Sequence, residues 1–263
     1  LSAKNGKDFW LGFDIETENV YDYLDDINPD VIVNLAGQNN VDIVENNPSK
    51  YFNINVNFPL DLAKWSDRNN KHFIQVSTQG VFSGKNAPYT KVSIPDPITQ
   101  YGKQKALSEE QVLLFDNTQV VRLTFVLGLR PFKNIGRQNP LESMLETPEQ
   151  FQVNDRFFSP VFAEDAAKIL WERVMKNASH YDRIIHVGNP IRCSRYTIAQ
   201  DLIEISNGEL DIKIHPVSHN YFSSDTKRPE DTTWKENHSL YKTEYLEGLR
   251  KYYLQWKKRT SWI

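Results

Sequence analysis

The chain has 263 residues, is 39% hydrophobic and 12% aromatic, and carries 31 basic against 34 acidic residues for a formal net charge of −3. That length buries a substantial core and that apolar content excludes a disordered chain, while the near-balance of charge removes the electrostatic basis for nucleic-acid binding. One cysteine, Cys193, excludes an internal disulfide, no signal-peptide pattern opens the sequence, and no apolar run approaches the roughly 18 residues that cross a bilayer, so a cytoplasmic protein is expected.

Taken in order, "DVIVNLAG" (30–37) is a β-branched run ending in glycine, the pattern of a buried parallel strand. "PSKYFNINVNFPLDLAKWSDRNN" (48–70) reads as one helix with Pro48 near its start, and "HFIQVSTQGVF" (72–82) as the next strand. "YGKQKALSEEQVLLFD" (101–116) reads as a helix with Tyr101 in its first turn, followed by the strand "QVVRLTFVLG" (119–128). This alternation predicts an α/β fold, a doubly wound parallel sheet covered on both faces. Past residue 130 the rhythm loosens. Helices are expected over 139–150, 163–177 and 197–208, and strands over 183–189 and 211–217. The division predicted is a nucleotide-binding domain over 1–130 and a smaller substrate lobe over 131–263, interleaved with the end of the sheet. The last helix carries Tyr245, Leu249, Tyr252, Tyr253 and Trp256 on one face, which predicts a docked terminal helix with a solvated basic side rather than a membrane-surface helix.

Chemistry concentrates at Tyr101 and Lys105. Four residues apart on a helix, their side chains share a face. A free phenol has a pKa of about 10, and a nearby ammonium favours the phenolate and lowers that value. Such a tyrosine can donate a proton to a carbonyl oxygen as hydride reaches the carbon. The spacing alone is weak, since most Y-x-x-x-K helices are structural. Upstream, Ser77 and Thr78 end a strand, where ligand sites of open α/β sheets gather, and a hydroxyl there can hydrogen-bond the same carbonyl oxygen. A Ser-Thr pair capping a turn is the bland alternative.

In sequence order, "NPDVIVNLAGQNNVDIVENNPSKYFNINV", "STQGVFSG", "PYT", "DP", "YGKQKALSEE", "VVRLTFVLG" and "KRPEDTTW" resemble the extended short-chain dehydrogenase/reductases, most nearly the dTDP-4-dehydrorhamnose reductase branch. The likeness runs from about residue 14 to about 240 and is strongest over 28–128. It implies a Rossmann-like fold, NADP or NAD as cofactor and a nucleotide-sugar substrate. It also implies a catalytic set of Thr78, Tyr101 and Lys105, in which Lys105 holds the nicotinamide ribose and tunes the tyrosine. Leu35, Ala36 and Gly37 match the segment that passes under the cofactor, and Asp14 and Ile15 the segment beside the adenine. "DRFFSPV" (155–161), with Arg156 and Phe158, resembles the stretch over the sugar nucleotide, and Arg228 lies in the late "RP" pair, where a guanidinium can hold a diphosphate by two parallel hydrogen bonds.

Three departures accompany the likeness. The aspartate and tyrosine that follow the strand threonine in the family are here Gln79 and Gly80, which alters the pocket wall near the sugar. The glycine-rich pyrophosphate turn is absent. With leucine as residue 1, this predicts that a βα unit of roughly 30 residues precedes the chain in a longer gene product. Residues that separate NADH from NADPH follow the second strand, expected at "DFWLGFDIE" (8–16), so cofactor preference stays open. No zinc-ligand spacing is present, because Pro216 breaks the helix that His215 and His219 would need, and no metal is expected. The expected activity is reduction of a keto-deoxysugar nucleotide for surface polysaccharide synthesis. A catalytically silent regulatory homologue and a nucleotide-sugar epimerase or dehydratase are the alternatives. A homodimer is the assembly to test, as helix pairs that could join subunits are present but nothing marks an interface.

Overall fold

The computed structural model describes residues 2–4, 7–9, 12–130, 138–175, 182–222, 226–235, 241 and 243–260. Through the first half the order is β1 (Ser2–Lys4), β2 (Lys7–Phe9), α1 (Val20–Ile27), β3 (Val31–Asn34), α2 (Val41–Asn46), α3 (Pro48–Phe52), α4 (Phe58–Arg68), β4 (His72–Thr78), α5 (Gln100–Val112), β5 (Thr118–Leu123) and β6 (Val126–Leu127). The second half adds α6 (Pro140–Glu146), β7 (Glu149–Val153), β8 (Phe157–Phe158), β9 (Val161–Phe162), α7 (Ala163–Met175), β10 (Ile184–Val187), α8 (Arg195–Ile205), β11 (Lys213–Val217), β12 (Asp231–Thr232) and α9 (Tyr245–Thr260).

Four strands pair in parallel in the order β10-β5-β4-β3. Alternate residues of each strand go to opposite faces. Phe73 and Val120 pack with Leu24 of α1, Leu62 and Trp65 of α4, and Val112 of α5. Their neighbours Ile74 and Val121 pack on the other side with Met144 of α6, Ile169 of α7, Leu202 of α8 and Leu249 of α9. Helices therefore cover both faces, the doubly wound Rossmann-like α/β architecture. β10 comes from the second half of the chain yet lies beside β5. On α9, Tyr245, Leu249, Tyr252 and Tyr253 are buried while Lys257, Lys258 and Arg259 occupy the last turn, so the helix is docked by its aromatic face.

Three expectations change. None of the described residues of 8–16 pairs with the four-stranded sheet, residues 10 and 11 lying outside the described set: Lys7–Phe9 pairs antiparallel with Ser2–Lys4, and the Asp14 carbonyl accepts from the N–H groups of Thr17 and Glu18 in a turn. The 48–70 helix is interrupted by a π turn over Asn53–Asn57, where the Phe58 N–H reaches the Asn53 carbonyl. Pro59 has no N–H to give the Asn55 carbonyl, so the ladder widens by one residue at that point. The 139–150 helix stops at Glu146 because Pro148 pushes its predecessor out of the helical region, and Glu149–Val153 pairs instead with β11.

Candidate active site

The site is built where β4 ends and α5 begins. Thr99 caps α5 by accepting the Gly102 N–H at 3.0 Å, and the Glu45 carboxylate of α2 accepts the Gln100 N–H at 2.8 Å. Gly102 is needed there, since a Cβ would stand 2.2 Å from the Gly80 carbonyl oxygen. This close approach seats Tyr101 against the strand end, with its phenol within the influence of the Thr78 hydroxyl. Thr78 Oγ1 also accepts the Gly80 N–H at 3.1 Å.

Burial pushes the Tyr101 phenol up to about 12, against the pull of the Thr78 hydrogen bond. The depression expected from Lys105 is not found: the lysine Nζ donates to the Val76 carbonyl at 2.9 Å, and its charge is lost near 8, before the phenol ionises. Burial brings Lys105 down to about 8, opposed by the charge of Glu109 one turn on. Glu109 is itself held by Arg122 of β5, whose Nη2 donates to Glu109 Oε2 at 2.6 Å. At neutral pH the tyrosine is therefore protonated, the form a proton donor requires.

Beyond the end of β3, Gly37 and Gln38 line a cleft of about 870 Å³ together with Asp14, Ile15 and Lys50. Gly37 is packed closely enough that a Cβ would lie 3.1 Å from Asn55 Oδ1. Leu35 is exposed, and the Ala36 N–H is held by Asn34 Oδ1 at 3.0 Å. The π turn places Asn55 in full burial, where Oδ1 accepts the Gln38 N–H at 2.9 Å and Nδ2 donates to Gln104 Oε1 at 2.8 Å. Gln104 Nε2 then donates to the Pro48 carbonyl at 2.7 Å. The segment expected under a dinucleotide is thus fastened by buried amides of β3 and of the interrupted helix.

Among the residues expected at the substrate, Gln79 follows Thr78 directly and its buried Oε1 has no partner among the described residues. Arg156 lies near Arg228. Burial, then the like charge of Arg228, hold Arg156 below the usual arginine range, against Asp155, Glu230 and Asp42. Its Nε is buried without a hydrogen bond among the described residues, and Arg228 Nη2 donates to Asp42 Oδ2 of α2 at 2.5 Å. Two guanidiniums brought together in partial burial have the chemistry to hold an anion carrying more than one charge. Phe158 is a core side chain, packed on Phe125 with ring centroids 4.4 Å apart and paired through its backbone with Cys193.

Sequence reasoning passed over Asn34, Asp42, Glu45, Asn55, Gln104 and Glu109. Each bonds a residue of another element or of the next turn, and as isolated letters they read as ordinary polar surface. His215 and His219 are each bonded to a carboxylate, Glu149 and Asp155. No described helix is long and apolar enough to cross a membrane.

The chain is 34% identical over 207 residues to the spore coat polysaccharide biosynthesis protein SpsK of Bacillus subtilis, covering 76% of this chain and 69% of that one. It is 30% identical over 157 residues to a dTDP-4-dehydrorhamnose reductase of Aggregatibacter actinomycetemcomitans, covering 57% of this chain and 51% of the other. Its fold matches the dTDP-4-dehydrorhamnose reductase of Bacillus anthracis crystallised with NADP, at a TM-score of 0.77 and 23% identity over 92% of this chain and 85% of that one. Residues 13–256 match the RmlD substrate binding domain, and the chain, with its doubly wound sheet and its Thr78–Tyr101–Lys105 corner, belongs to that family.

Proposed function

We propose that the protein is an NAD(P)H-dependent reductase of a nucleotide-linked keto-deoxysugar, acting in the cytoplasm in the synthesis of a surface polysaccharide. The observation that carries this reading is the corner itself: a half-buried Tyr101 that desolvation keeps protonated, set near Thr78 at the end of β4, with Lys105 one turn on donating to the Val76 carbonyl. The relatives named for polysaccharide synthesis and for dTDP-4-dehydrorhamnose reduction support it.

A dinucleotide fits the residues present. The cleft of Asp14, Ile15 and Gly37 takes the adenosine side. Lys105 spends one of its three N–H groups on Val76 and has the others for the nicotinamide ribose. When bound, the nicotinamide supplies a hydride to the keto carbon. Thr78 and Tyr101 hydrogen-bond the carbonyl oxygen, and Tyr101 delivers the proton as that oxygen gains charge. Arg156 and Arg228 hold the substrate diphosphate, so the sugar is presented to Gln79 and the phenol.

The test is to incubate the full-length protein with NADH or NADPH and a nucleotide-linked keto-deoxysugar. One dinucleotide oxidised per ketone reduced is expected. An epimerase or dehydratase regenerates its cofactor and shows no net consumption, and dinucleotide binding without turnover of any such sugar identifies a regulatory homologue. For the diphosphate site, Arg156→Ala and Arg228→Ala are each expected to raise KM by about tenfold or more, the worth of one charge-assisted hydrogen bond, with kcat little changed. An unchanged KM in steady-state kinetics would remove both arginines from the substrate.

A further inference from the structure

A second chain of buried amides runs from the segment under the cleft to the lysine. The parallel register sets Asn34 of β3 directly opposite Gln75 of β4. Asn34 Oδ1 accepts the Ala36 N–H at 3.0 Å, Asn34 Nδ2 donates to Gln75 Oε1 at 2.9 Å, and Gln75 Nε2 donates to the Val76 carbonyl at 2.8 Å. That same carbonyl oxygen accepts Lys105 Nζ at 2.9 Å. Asn34, Gln75 and Lys105 are all buried, Gln75 completely.

The direction of this chain is not arbitrary. A side-chain amide can be turned either way, and its orientation follows from its partners. Here both ends are backbone groups of fixed character, a donor at Ala36 and an acceptor at Val76. With a donor at one end and an acceptor at the other, two amides in series have one arrangement that satisfies every link. A carbonyl oxygen has two lone pairs. Gln75 takes one, which leaves the other to the ammonium and so limits the direction from which Lys105 approaches.

We propose that Gln75 is a positioning residue for the reaction. Through the Val76 carbonyl it aims the Lys105 ammonium, and through Asn34 it ties that aim to the Ala36 backbone, so the floor under the dinucleotide and the lysine that grips its ribose are set together. This inference rests on the reductase reading above. Gln75 touches neither ligand and acts through Lys105.

A double-mutant cycle on nicotinamide dinucleotide affinity tests it, using the full-length protein with Gln75→Met, Lys105→Met and the two combined. Methionine keeps the length of glutamine and removes both amide groups. In the Lys105 background Gln75→Met is expected to weaken NADH or NADPH binding by about tenfold, the order of one hydrogen bond to a charged group. In the Lys105→Met background the same replacement is expected to change affinity by less than about twofold, because the group it acts through is gone. Equal losses in both backgrounds overturn the inference and make Gln75 an ordinary core residue. A wild-type protein that binds neither dinucleotide overturns the reductase reading, and this inference with it. Should thermal melting show Gln75→Met to be unfolded, Asn34→Asp replaces it. The carboxylate keeps the Ala36 N–H and draws the Gln75 NH₂ toward itself, which turns Gln75 Oε1 toward the Val76 carbonyl and the ammonium. The same dependence on Lys105 is expected, and a loss independent of Lys105 overturns the proposal.

Discussion

Replacing Tyr101 by Phe is expected to lower turnover of a keto-sugar nucleotide by about a hundredfold or more, the usual contribution of a placed general acid. The phenyl ring keeps the packing against Gly80 and loses the hydroxyl that meets Thr78. Dinucleotide affinity is expected to stay near wild type, because the ribose grip belongs to Lys105. The pH dependence carries the same assignment. Burial keeps Tyr101 protonated up to about 12, while Lys105 loses its proton near 8. As pH rises, the lysine gives up its charge first, so wild-type activity should fall through about pH 8 while the phenol still holds its proton. The residual activity of the Phe variant should show that same decline, since the lysine is untouched. Steady-state kcat against pH for both proteins measures this. Full activity in the Phe variant would falsify the proton-donor role.

Removing the charge of Glu109 is expected to cost more stability than any other single change near the site. Glu109 and Arg122 are nearly inaccessible, with side-chain exposures of 3% and 2%. The guanidinium Nε and Nη2 both bond the carboxylate, and Arg122 Nη1 lies 3.2 Å from His186 Nε2. An arginine only donates, so His186 accepts at Nε2 and must be neutral. Burial, then the Arg122 charge, bring it down to about 3 accordingly. Glu109→Gln leaves a buried guanidinium without its counter-charge, a change that typically costs about 3–5 kcal/mol. In a chain of this size that lowers Tm by on the order of 10 °C. It also removes the charge that holds Lys105 up, so the decline in activity should move to lower pH. The paired replacement of Glu109 and Arg122 by Met should recover most of the lost stability, because no buried charge is then left alone. Calorimetry on the three proteins decides the matter: a Glu109→Gln melting point within a degree or two of wild type would mean that the pair contributes little.

Much of this protein is legible along the chain. His72–Thr78 and Thr118–Leu123 are runs buried on both faces along most of their length, the mark of a central parallel strand. The stripe on α9 has helical spacing and docks as that spacing requires. Tyr101 and Lys105 lie one turn apart on a helix that the sequence outlines to within a few residues, and the order of motifs from 28 to 128 points to the family. These features are local, set by periods of two or 3.6 and by short spacings, so the chain states them by itself.

What the chain does not state lies in contacts between distant residues. Asn34 and Gln75 are 41 positions apart, and Asn55 and Gln104 are 49 apart. Neutral amides have no periodic signature, and only strand register and a π turn bring these pairs to face each other. Pro59 is visible in the sequence, but that it opens the helix enough to bury Asn55 depends on what packs beside it. The sign of the Tyr101 shift is the plainest case. Helical spacing predicts a phenol lowered by the ammonium, and local geometry permits it. Burial against the end of β4, which raises the phenol and lowers the lysine together, and the bond from Lys105 to the Val76 carbonyl are decided by the packed sheet, so the lysine has lost its charge before the phenol ionises.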